Sequence, residues 1–184
     1  MERILKNTPF GYKTAKELYE KLVLVKFKKL KDSIDINDYY DFIFSAGALR
    51  DWIKTEQNLS DSDMERLFYN NKYMSIFQSI YNNSKHFVFG VKTRTQEENI
   101  NYYVELDGEL VKSKIIDEKP YLCNDTLLED DKYLVGEVAG EYGELYLFCR
   151  IKDRNDNTEN IFLYEICKNV LNSYGEIMST YYPA

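Results

Sequence analysis

The sequence predicts an α+β fold. A four-helix, bundle-like half over 1–87 precedes a half over 88–184, an antiparallel meander of about five strands with a C-terminal helix packed on the sheet, the two forming one compact unit. Three observations carry this expectation. Apolar residues recur with a helical period up to about residue 87 and with a period of two beyond it. Asp107-Gly108 sits between two β-patterned runs, where a tight hairpin turn needs positive φ. Residues 160–178 return to an amphipathic helical pattern.

The first helix opens on a capping box, Thr14 to Glu17, in which side chain and backbone satisfy each other's free donors. Leu18, Leu22, Val25 and Lys29 form one stripe, flanked by Tyr19, Val23, Phe27 and Leu30. A second helix spans Asn37 to Glu56, with Tyr39, Phe42, Ala46, Leu49 and Ile53 in three-four spacing, and Ala46 and Gly47 admit a close neighbour. Ser62 and Glu65 read as the box of a short third helix. Tyr73, Phe77, Ile80 and Ser84 form a fourth, which closes near His86. "HFVFGVK", the two arms of the Asp107-Gly108 hairpin, and two runs within 132–152 supply the strands. Leu163, Cys167, Val170, Tyr174 and Met178 line one face of the last helix.

The chain has 184 residues and a net charge of −7, distributed unevenly. Residues 1–31 hold nine Lys/Arg against three Glu, whereas 96–147 hold fourteen Asp/Glu against four Lys. So acidic a chain is not a general nucleic-acid binder. Seventeen tyrosines suit half-buried strands and protein interfaces. Three widely spaced cysteines, no CxxC and one histidine fit reduced thiols rather than a zinc site. With no leader-like apolar run and no 18-residue apolar span, the expectation is a cytoplasmic protein that does not engage the membrane.

Complete catalytic signatures are absent. Neither GxxxxGK[ST], GxGxxG nor GxSxG occurs. Asp153, Asn155 and Asn157 imitate a calcium loop, but Thr158 stands where Gly is needed and Tyr164 where the bidentate Glu is needed. The acids of "LEDDKY" read as solvated turn residues. No metal and no cofactor are expected.

Two clusters remain. Arg50 and Asp51 lie beside Trp52 near the end of the second helix, and "NNSKH" gathers Asn83, Lys85 and His86 at the end of the fourth. A helix C-terminus favours the charged imidazolium. A four-helix start closing on such a cluster resembles HEPN-type helical domains of bacterial toxin, abortive-infection and phage-defence systems. The resemblance covers residues 14–87. It implies a metal-independent RNA-cleaving site completed across a dimer, with His86 as acid or base and an Arg four to six residues before it. Here that window holds Gln78, Ser79, Ile80, Tyr81 and no Arg, so Lys85 or Arg50 would have to supply the cation and Asn83 a further phosphate contact.

The leading expectation is a non-catalytic interaction component of a defence or counter-defence system. It would bind a basic protein partner, or a second copy, through its acidic β half. Asp51, Trp52, Tyr102, Glu105, Asp107 and Glu109 are the candidate binding residues. The alternative is the ribonuclease, with RNA as partner and His86, Lys85, Asn83 and Arg50 as its catalytic set.

Overall fold

The computed structural model describes residues 11–31, 33, 35–69, 71–85, 96–106, 109–116, 119–122, 145–152 and 158–183. They fall into two compact units. One is Met1–Gln96 with Tyr164–Ala184, and the other is Glu97–Leu163.

In the first unit, α1 (Ala15–Leu18) starts where the sequence places it. Extended Thr14 accepts the Glu17 amide at 3.1 Å, and Glu17 in turn accepts the Lys13 amide at 2.8 Å. The helix then widens into a π-helical stretch, Tyr19–Val23, before resuming as α2 (Leu24–Leu30). The Leu24 amide bonds back to the Tyr19 carbonyl, five residues away. The wider turn shifts the phase of everything after it. Leu18, Val23 and Leu30 are buried, whereas Val25, expected on the apolar stripe, is 47% exposed.

Helix α3 (Ile36–Glu56) is capped by Asp35, whose carboxylate accepts the Asn37 amide at 2.9 Å. Tyr39, Phe42, Ile43, Ala46, Leu49 and Ile53 are buried along it. The capping box of helix α4 (Asp61–Phe68) lies two residues earlier than expected, because Ser60 and Asp63 close it rather than Ser62 and Glu65. Lys54 pairs with Asp61 and Arg50 lies over the Phe68 ring, so α3 and α4 run antiparallel. Helix α5 (Lys72–Lys85) approaches α3 closely at one point. A Cβ on Gly47 would overlap the ring of Tyr81, so only glycine admits that ring.

The expected α+β arrangement is overturned in two respects. First, the C-terminal helix, α6 (Leu163–Tyr181), groups with the helices in the first unit. Tyr164 stacks on Phe27, Tyr174 packs on Phe68 and bonds to Ala46, and the Tyr182 hydroxyl reaches Glu56 at 2.7 Å. Partners on α3 advance as α6 advances, so the two helices run parallel. Leu163, Cys167, Val170, Tyr174 and Met178, the face read from the sequence, are all buried.

Second, among the described residues there is no five-strand meander, and they are mostly helical. The antiparallel pair whose side chains are described is β4 (Leu145–Lys152) with β5 (Thr158–Phe162). Leu147, Cys149 and Ile151 alternate as buried residues, and Phe148 meets Phe162 across the ladder at 5.7 Å. β1 (Gln96–Leu106), β2 (Glu109–Ile116) and β3 (Lys119–Leu122) form an antiparallel run. The strand order is β3-β2-β1-β4-β5, so β4 comes beside β1 rather than after β3. Leu106 faces Glu109 in register, as a two-residue hairpin turn demands. The turn residues, the strand expected at "HFVFGVK", Cys123, "LEDDKY" and 153–157 lie outside the described residues.

Gly47→Ala is expected to destabilise the protein by about 1–3 kcal/mol through overpacking, outweighing the gain of about 1 kcal/mol in helix propensity. Urea unfolding measures it, and adding Tyr81→Leu is expected to recover part of the loss.

Candidate functional site

A buried polar arrangement lies inside the helical unit, where α3, α4, α5 and α6 meet. Tyr174 of α6 is fully buried, and its hydroxyl donates to the Ala46 carbonyl at 2.5 Å. That carbonyl is in mid-helix, where Ala46 and Gly47 are too small to cover it. The Phe68 ring sits 5.6 Å from the Tyr174 ring, and the Arg50 guanidinium lies 5.9 Å from the Phe68 centroid. An arginine so placed gains a cation–π contact and packing along its stem.

Burial pushes the Tyr174 phenol well above its usual value. Arg50 opposes the shift, while Asp51 and Tyr81 add to it. Arg50 thus shares a neighbourhood with Tyr174, Asp51 and Tyr81, and its charge also helps Lys54 hold the Asp61 carboxyl low. Burial likewise raises Tyr39, whose surroundings include Cys167 and Tyr164. Two polar groups remain unsatisfied. The Arg50 Nε is buried without a hydrogen-bond partner, and Gln78, 0% exposed on α5, has none at either end of its amide. Buried polar groups are rarely left so.

Each residue singled out by sequence has a place. Asp51 is exposed and Trp52 half-buried, because consecutive helical positions diverge by about 100° and cannot follow Arg50 inward. Asn83 and Lys85 lie in the last turns of α5. His86 lies outside the described residues, as does Asp107. On β1, Tyr102 pairs with Ser113 and Glu105 with Leu110, while Glu109 pairs with Leu106.

Sequence reasoning missed the buried polar roles of two residues. Tyr174 read only as an apolar-face residue, and nothing local distinguishes Gln78 from an exposed glutamine. Among the described residues no three His, Cys, Asp or Glu side chains are grouped to hold a metal ion, and no helix is long and apolar enough to cross a membrane. Cys149 and Cys167 are buried. The arrangement anchors helices and brings an arginine beside a buried phenol. Comparison of the chain with protein-family models, with curated proteins and with solved structures finds no match.

Two outcomes are expected of this cluster. A phenol that keeps its proton in the folded chain after the unfolded chain has lost it makes stability fall as pH rises above about 10. Tyr174→Phe is expected to cost about 1 kcal/mol at neutral pH and to flatten that alkaline loss by up to about 1.4 kcal/mol per pH unit, read from urea unfolding at several pH values. Gln78→Leu, which removes an unpaired buried amide at similar volume, is expected to raise stability by about 1 kcal/mol in the same assay.

Proposed function

We propose that the protein is a non-catalytic interaction component whose acidic strand unit docks on a basic protein partner. One observation carries the reading, namely the division of charge between the two units. Glu97–Leu163 holds seventeen Asp/Glu against seven Lys/Arg, a net −10, so the remainder of the chain is +3. A charge of that size on 67 residues produces a field felt over about one Debye length, roughly 8 Å at physiological salt. Such a field speeds and orients encounter with a surface of opposite sign.

The attraction belongs to the unit as a whole, since the excess negative charge is a property of its full 67 residues. Arg50, half-buried over Phe68, is committed to the helical core, which supports a binding role over a phosphate-contacting one. The bacterial or phage defence or counter-defence setting is proposed only on the resemblance of residues 14–87 to HEPN-type domains.

The test is titration of the protein with a fluorescent Lys/Arg-rich peptide, with a length-matched acidic peptide as control. Binding of the basic peptide is expected to weaken about tenfold or more between roughly 50 and 300 mM salt, and to weaken further in the Glu105→Lys/Glu109→Lys variant. Affinity that stays flat across the salt range overturns the proposal.

A further inference from the structure

A different feature of the helical unit points to a small-molecule site, independently of the charged strand unit. The π-helical stretch Tyr19–Val23 is the one departure from α geometry within the α1–α2 helix. Such turns are rare and concentrate at functional sites, because a widened turn presents side chains that regular spacing would not. Beside it lies a groove of about 390 Å³, within the range of small-ligand sites.

One wall is formed by Lys16, Tyr19 and Glu20, from α1 and the π-helical stretch. The other is formed by Met178, Ser179, Tyr182 and Pro183, from the end of α6 and just beyond it. The second wall is firmly held. The Tyr182 hydroxyl donates to Glu56 Oε2, an oxygen that also accepts the Ala15 amide at 2.8 Å. Ser179 donates to the Gly175 carbonyl, leaving its hydroxyl oxygen as an acceptor. Gly175 faces Tyr19, and even a Cβ there would lie 3.7 Å from the phenol oxygen, so the space beside that hydroxyl stays open.

The charges on the lining choose the ligand. Lys16 and Glu20 stand one turn apart on the same wall, and neither takes part in an ion pair among the described residues. Lys21, next in the chain, is instead paired with Glu17. A simple anion would meet Glu20 as well as Lys16, and a simple cation would meet the reverse. A molecule carrying both charges close together satisfies the two at once. Its body would be apolar, since the rest of the lining is tyrosine ring, methionine and proline.

We propose that this groove binds a small apolar zwitterion of the α-amino-acid class, with Lys16 pairing to its carboxylate, Glu20 to its ammonium, and its side chain against Tyr19, Met178 and Tyr182. The experiment is a heteronuclear NMR titration of the full chain with L-phenylalanine and L-leucine. Phenylacetate and phenethylamine, each carrying one of the two charges, run in parallel. L-Phenylalanine is expected to shift the groove residues saturably and to bind about tenfold or more tighter than either half-molecule.

Lys16→Gln is expected to weaken L-phenylalanine and phenylacetate but not phenethylamine, and Glu20→Gln to show the converse pattern. Lys21→Gln, outside the groove, leaves all three unchanged. All three positions are on the surface of the helix, and an unchanged circular dichroism spectrum verifies each variant's fold. Absence of saturable shifts with either amino acid overturns the proposal. So does equal affinity for amino acid and half-molecules, or loss of charge discrimination by the variants.

Discussion

The bond between the Tyr174 hydroxyl and the Ala46 carbonyl joins residues 128 positions apart, and the rest of the helical unit is arranged around it. A tyrosine reaches a mid-helix carbonyl only where that helix is thin. Ala46 and Gly47 make it thin, and the same thinness admits the Tyr81 ring from α5. One pair of small residues on α3 therefore receives two large rings from two other helices. Phe68 from α4 completes the packing against Tyr174 and carries Arg50 on its face. Removing that guanidinium would take away packing as well as charge.

This arrangement makes the strand unit an insertion. The chain leaves the helical unit after α5, builds β1 to β5, and re-enters as α6 parallel to α3. Charge follows the same division, with the acids gathered in the inserted segment and a net +3 left over the rest of the chain.

How much of this was legible in the sequence depends on whether the signal was local. Thr14, the helical period of α3 and α5, and the Asp107-Gly108 hairpin rest on nearest-neighbour chemistry, and the described residues follow them. The buried face of α6 was legible too, but not its destination. Leu163, Cys167, Val170, Tyr174 and Met178 would suit a sheet as well as a helix layer, and amphipathic pattern carries no address. The π-helical turn escaped because a single widened turn changes phase without leaving a composition signal, and Val25 was misplaced as a result. Ser60 and Ser62 are both competent caps, so the choice between them lay in geometry. Of the candidate site, Arg50 was singled out early. Tyr174 and Gln78 acquire their character only from burial between distant segments.

The insertion also sets an order of events during synthesis. Helices α3, α4 and α5 leave the ribosome with Ala46, Gly47 and Phe68 prepared for a partner that has not yet been made. Sixty-seven residues of the strand unit must be translated first, which takes about 3 to 13 s at ordinary elongation rates. Throughout that interval the apolar face destined for α6 is open to water and to other nascent chains. The acidic segment emerging meanwhile adds like charge to every such chain, and its repulsion discourages neighbouring chains on a polysome from pairing through their unfinished cores.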